Sequence, residues 1–111
     1  KGLIMTAIIG YYSNNEKNIY EWDTLTADGE TLALKVNATN FTFVDKIVGS
    51  NVTVIHQGSL NGTDWFDLES HSHNESGVDY HSYSNVPLLY VRAKATSIGS
   101  GESFAGSVMC N

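Results

Sequence analysis

The chain has 111 residues, a length that suits one domain built around one hydrophobic core. Twelve acidic residues against six basic ones give a formal charge of -6. Such a surface repels phosphate backbones and anionic lipids, so we expect neither nucleic acid nor a membrane among the partners. The single cysteine, Cys110, excludes an internal disulfide and a cysteine-based zinc site. We predict a single domain over residues 1–111.

Residues 1–10 have two interpretations. The apolar stretch at 3–9 is too short to cross a bilayer, which needs about 20 apolar residues. As an N-terminal arm, it would pair with the sheet edge of a neighbouring subunit through main-chain hydrogen bonds. As an edge strand, it would belong to the domain's own sheet, which is the preferred interpretation.

The polar run at residues 13–18 predicts an exposed loop, and aromatic residues flank it on both sides. Aromatic rings with polar tips suit protein interfaces as well as the faces of sugars. Together with apolar positions of the N-terminal stretch, these aromatics form the predicted partner-binding set. Its members are Leu3, Ile4, Ile8, Tyr11, Tyr12, Tyr20 and Trp22.

Alternation of apolar and polar residues predicts an all-β fold with little or no helix. The pattern is clearest over residues 32–36, 52–57 and 89–96, where each segment is typical of a strand with one buried face. Turn signals at 27–29, 48–51, 60–63 and 98–101 separate the segments. Further strands are predicted over 5–11, 41–44, 65–70, 78–83 and 103–109. The prediction is an antiparallel β-sandwich of about eight strands with jelly-roll or Greek-key connections.

The most distinctive local unit is a hairpin around Asn61 and Gly62, which joins residues 52–58 to 65–68. Asn and Gly both tolerate positive φ and so suit a tight turn. We expect Gly58 to help the chain turn as well. The structural motif is Gly58, Asn61, Gly62, Trp65, Leu68 and Arg92, with Trp65 and Leu68 in the core and Arg92 paired with an acid across strands.

Three histidines are the best candidates for a metal site. His71 and His73 are two residues apart, so on a strand they point to the same face, and His81 could approach from a neighbouring strand. The segment around His71 and His73 is wholly polar, however, and a polar strand face or surface loop explains it as well. We therefore predict no metal and no cofactor.

Catalysis has no local signature in the sequence. The serines, histidines and carboxylates, including pairs such as Asp64 and Asp67, match no nucleophile or acid–base motif. We predict that the chain is not an enzyme. A spatial cluster of His56, His81 and a carboxylate would reopen that question.

Two segments, GSLNGTDWFDL at 58–68 and PLLYVRA at 87–93, resemble the small β-sandwich virion proteins of tailed bacteriophages, especially capsid decoration or cement proteins. The resemblance implies a structural protein made in the host cytoplasm that sits on the capsid surface and bridges shell subunits. Its partners would be the major capsid protein or other virion subunits, and a homo-oligomer such as a trimer is expected. A similar hairpin occurs in discoidin-like sandwiches, which implies an alternative: a carbohydrate-binding module on a phage tail, fibre or cell surface.

Overall fold

The computed structural model describes the backbone of residues 8–13 and 18–111, and the side chains from Ile19 onward. These residues form ten strands and no helix, and they offer no helical segment with the length and hydropathy to span a membrane. The strands are β1 (Ile8–Ser13), β2 (Asn18–Trp22), β3 (Gly29–Glu30), β4 (Leu34–Ala38), β5 (Phe41–Val48), β6 (Val52–Ser59), β7 (Phe66–His73), β8 (Gly77–Tyr83), β9 (Leu88–Thr96) and β10 (Ser103–Cys110).

The strands form two antiparallel sheets. Sheet I has the order β1-β2-β10-β5-β8, and sheet II has the order β3-β9-β6-β7, with β4 also paired to β9. From β4 onward the chain crosses between the sheets at every connection except the β6–β7 hairpin. This connectivity is that of a jelly roll. The predicted antiparallel sandwich is therefore confirmed.

The strand number differs from the prediction for two reasons. β3 and β4 both pair with β9, so one strand position of the jelly roll is interrupted. β1 adds a further strand at the edge of sheet I by pairing with β2. The eight positions of a jelly roll are thus filled by nine strands, and β1 is the tenth.

The core lies between the inward faces of the two sheets. β5 and β10 alternate strictly between buried and more exposed residues, as expected for strands with one face in a core. The largest fully buried side chains include Phe41, Phe43 and Phe104, and these are joined by valines of β6 and β9. The predicted strand at 41–44 extends to Val48 because this alternation continues through Asp45 and Ile47.

Trp22 was expected near a partner, and this expectation is wrong because the residue is only 2% exposed. β2 pairs with β10, with Tyr20 opposite Val108, so Tyr20 and Trp22 point inward with Val108. The indole ring stacks on Phe43 with centroids 6.3 Å apart. Trp22 is a core residue.

The β6–β7 hairpin forms as predicted, but residues 60–65 connect its strands in place of a tight turn. Gly62 has φ of 80°, whereas Asn61 is not among the residues with positive φ. Asn61 acts through its side chain, whose Oδ1 accepts hydrogen bonds from the backbone N–H groups of Thr63 and Asp64. This is an Asx turn, a second way in which asparagine stabilises a loop.

The other motif residues have roles that partly differ from the predicted ones. Gly58 lies inside β6, not in the turn, and a Cβ there would stand 2.8 Å from Leu88. Leu68 packs against the core as predicted.

Trp65 lies outside the core cluster, and the Arg92 guanidinium covers its ring at 4.1 Å. Arg92 Nε donates to Gln57, and Gln57 donates to Asp67, so the expected link between Arg92 and an acid passes through an amide.

Candidate functional site

All four histidines of the chain meet between the sheets, at the edge that β7 and β8 form. β8 is the last strand of sheet I and β7 is the last strand of sheet II. Because side chains alternate along a strand, every second residue of β7 and β8 points into this space. We call the group the histidine cluster: Asp45, His56, Glu69, His71, His73, His81 and Tyr83.

The innermost part of the cluster is a buried pair of Asp45 on β5 and His56 on β6. Nε2 of His56 lies 3.0 Å from both carboxylate oxygens, and the two side chains are 1% and 0% exposed. Since a carboxylate only accepts hydrogen bonds, Nε2 of His56 carries a proton. Phe43 stacks on the imidazole with centroids 4.2 Å apart. The pair joins the two sheets.

The Tyr83 hydroxyl connects this buried pair to the outer part of the cluster. It lies 2.7 Å from Nδ1 of His56 and 3.2 Å from Nε2 of His71, and it donates to Glu69 Oε1 at 3.0 Å. Burial, followed by the hydrogen bond to Glu69, raises the pKa of Tyr83 well above its ordinary value. The phenol therefore keeps its proton at neutral pH.

His71 and His81 face each other across the edge of the sandwich. Their rings are nearly parallel, at 15°, with centroids 3.5 Å apart, and Nε2 of His71 is 3.1 Å from Glu69 Oε1. Burial is the main cause that lowers the pKa of His71, and charge on His81 and then on His56 lowers it further. The His71 ring is therefore neutral at neutral pH.

His73 lies apart from that pair. Its Nδ1 is 3.4 Å from Asp79 and its Nε2 is 3.7 Å from Asp45. Of the three histidines that the sequence singled out, the structure thus brings two together, His71 and His81, and turns the third towards Asp79. Glu69 replaces His73 as the third residue of the candidate metal-ligand set. One ligand atom each from Glu69, His71 and His81 lies within 4.8 Å of the others.

A second candidate site lies on the outer face of sheet I. Val78 and Tyr80 point outward from β8 and are 64% and 72% exposed. In the register of the sheet, Val44 of β5 stands opposite Tyr80. We call these three residues the outer patch. Beside it runs a shallow groove of about 330 Å³, floored by the small residues 105–107 of β10.

The structure gives the predicted partner-binding residues different places. Tyr20 is partly buried against the core and Trp22 belongs to it. Leu3 and Ile4 lie outside the described residues. Ile8, Tyr11 and Tyr12 belong to β1, which forms an edge strand of the domain's own sheet, but their side chains are outside the described part. Sequence reasoning missed the outer patch, although the alternation of Val78 and Tyr80 with His81 and Tyr83 was a usable signal.

Comparison with known proteins identifies the fold. No protein-family model matches the sequence, and no curated protein matches it significantly. Among solved structures, the SPBc2 prophage-derived protein YomS superposes with a TM-score of 0.63 at 14% identity, over 99% of this chain and 100% of YomS. PirA superposes with a TM-score of 0.55 at 12% identity, over 89% of this chain and 95% of PirA.

A structure described as CBM4 overlaps less well, with a TM-score of 0.45 at 9% identity over 95% of this chain and 74% of its own. At this level the likeness carries no functional argument. The likeness to YomS and PirA shows a shared fold, since both identities are far below those at which function is shared.

Proposed function

We propose that the chain is a non-enzymatic structural protein of a phage particle, which binds shell subunits through the outer patch and stabilises the assembled capsid. The observation that carries the proposal is the exposure of Val78 and Tyr80 side by side on one strand. A tyrosine that stands 72% exposed beside two valines has the chemistry of an interface anchor, since aromatic residues are enriched where protein surfaces meet.

The position of the outer patch suits attachment to a large surface. β8 is the end strand of sheet I among the described strands, and within the described part of the chain its outer face and outer edge are open to a partner. A stable contact buries about 800 Å² on each partner, and the groove beside the patch extends the available surface towards β10. A shell built of many identical subunits presents such a surface repeatedly.

Two further findings support the phage context. YomS, a prophage-derived protein, has the same fold over the whole of both chains. The hairpin at 58–68 and the strand at 87–93 resemble those of small virion proteins. In this proposal the protein is made in the host cytoplasm, its partner is the major capsid protein or another virion subunit, and it self-associates, for example as a trimer.

The carbohydrate-binding alternative has less support. It depends on exposed aromatic rings on which a sugar can stack, and Trp22, the largest ring in the predicted partner-binding set, is 2% exposed. Tyr20 and Tyr83 are partly buried against the core. Among the described aromatic residues, Tyr80 and Phe66 keep exposed rings, at 72% and 44%, and they lie on different sheets.

Catalysis is also less well supported, although the structure does bring His56 and His81 near a carboxylate. His56 and Asp45 are 0% and 1% exposed, so a substrate does not reach them. Their hydrogen bonds are made within the cluster. This arrangement suits a structural role.

The proposal is tested by co-sedimentation of the purified protein with particles that lack it. Tyr80→Lys replaces the anchor with a charge, and we expect it to weaken binding by at least about tenfold, as loss of an interface hot spot does. Leu32→Lys is the matched control, because Leu32 is a 44% exposed apolar residue in the segment before β4. Both variants should unfold at the wild-type temperature. Wild-type protein that fails to sediment with particles, or Tyr80→Lys protein that binds normally, would overturn the proposal.

A further inference from the structure

We propose that Glu69, His71 and His81 form a binding site for a divalent transition metal of the zinc type, which links the free edges of the two sheets. The ligand atoms of the three residues already lie within 4.8 Å of one another. Two imidazoles and one carboxylate are a ligand set that proteins use for zinc and for neighbouring metals, with a water in the fourth position.

To hold the ion, the three ligand atoms must move closer together and at least one imidazole must rotate out of the parallel His71–His81 stack, because an imidazole binds a metal in the plane of its ring. Ligand atoms around a tetrahedral zinc stand about 3.3 Å apart, so the separations have to close by no more than about 1.5 Å. One pair needs no closure, because Nε2 of His71 is 3.1 Å from Glu69 Oε1. Glu69 is 54% exposed, so its side chain is free to adjust.

His81 supplies an independent indication. Its Nε2 is buried and has no hydrogen-bond partner among the described residues, a state that it shares with Nε2 of His73 and Nε1 of Trp22. Buried polar atoms without a partner are rare in folded proteins, because each one loses its hydrogen bonds to water without replacement. Coordination of a metal ion would satisfy this nitrogen.

A supporting shell is in place behind the ligands. Tyr83 donates to Glu69, and its hydroxyl is held by His56, which Asp45 orients in turn. Such outer partners fix the orientation of metal ligands in known sites. The chain of contacts runs from the proposed ligands on β7 and β8 to the buried pair on β5 and β6.

The site has a structural consequence. Glu69 and His71 belong to β7, the end strand of sheet II, whereas His81 belongs to β8, the end strand of sheet I. No backbone hydrogen bonds join these two strands to each other, because they belong to different sheets. A metal ion held by all three residues would close the sandwich at its open edge.

The test is calorimetric titration of chelator-stripped protein with Zn²⁺, together with the shift of its unfolding temperature. We expect one ion per chain and a higher unfolding temperature. Loss of a residue that only supports a metal ligand weakens metal binding by about 10–100-fold. His81→Asn and Glu69→Gln change the proposed ligands themselves, so each should weaken Zn²⁺ binding by more than about tenfold. Stripped His81→Asn protein should still unfold cooperatively.

Two variants serve as controls. His73→Asn changes a histidine on the same strand that lies outside the ligand set, and Tyr80→Lys changes the neighbour of His81 on the opposite face. Both should bind Zn²⁺ within about threefold of wild type, a change below about 0.7 kcal/mol. Wild-type protein that binds no stoichiometric zinc would overturn the proposal, and so would equal loss in His73→Asn and His81→Asn. Because Tyr80→Lys tests the outer patch alone, failure of one proposal leaves the other intact.

Discussion

Removal of the Asp45 carboxylate should destabilise the protein strongly. Asp45→Ala leaves the proton on Nε2 of His56 without its acceptor in a place that is 0% exposed. Leaving a buried polar group without its hydrogen-bond partner costs about 1–3 kcal/mol, a substantial part of the about 5–15 kcal/mol that stabilises a domain. With an unfolding entropy of about 2.1 cal/mol/K per residue, 111 residues give a drop of about 4–13 °C in unfolding temperature.

Asp79→Ala is the matched control for this experiment. Asp79 also contacts a histidine, at 3.4 Å from His73, but it is 62% exposed. Exposed ion pairs contribute at most about 1 kcal/mol, so this variant should melt within about 4 °C of wild type. Thermal unfolding followed by circular dichroism, in the presence of a chelator, gives both unfolding temperatures. Equal destabilisation by the two substitutions would refute the reasoning that burial makes the Asp45–His56 pair strong.

Three other predictions follow from packing and titration. Gly106→Ala should lower the free energy of unfolding by about 1–3 kcal/mol, because the new Cβ would meet the Phe104 ring at 2.5 Å. Gly77→Ala is the control, since a Cβ there meets nothing within 4 Å. Its free energy of unfolding should be close to that of wild type when both variants are measured by chemical denaturation. Burial raises the pKa of Cys110 to about 12, so the thiol stays protonated and covered in the folded protein. It should react with an aromatic disulfide reagent only as fast as the protein unfolds. Rapid reaction in native buffer would contradict this prediction. Hydrogen bonds from the backbone N–H groups of residues 50 and 99 lower the pKa of Glu102 in the folded protein. The ionised carboxylate therefore stabilises the folded protein fully above pH about 4.5, the pKa in the unfolded chain. This contribution is lost as the pH falls through the lower pKa of the folded state. Glu102→Gln should therefore flatten the acid side of the stability profile, and an unchanged profile would contradict that account.

The strands were largely predictable because most have one face in the core. Alternation in β5, β6, β9 and β10 follows directly from that burial. β2 was missed because Ile19 and Tyr20 are adjacent, which breaks the alternation, and because the strand begins at the end of the polar run at 13–18. Burial of Trp22 depends on pairing with β10, about 90 residues away in sequence, and local patterns do not contain such a pairing.

The histidine cluster was only partly predictable. His71, His73 and His81 stood out by spacing, but the choice of partners depends on how the edges of two sheets meet. A signal for His56 was present, since it continues the buried alternation of Val52 and Val54. Asp45 continues the alternation of Phe41 and Phe43 in the same way. A polar residue at a core position indicates a buried partner, and Asp45 and His56 are partners of each other.

The central claim is that the chain is a structural component of a phage particle. The most direct test is the copy number of this chain relative to the major shell protein, measured by quantitative mass spectrometry of particles purified from its source. A ratio comparable to that of the shell protein is the predicted result. Absence of the chain from purified particles would contradict the account.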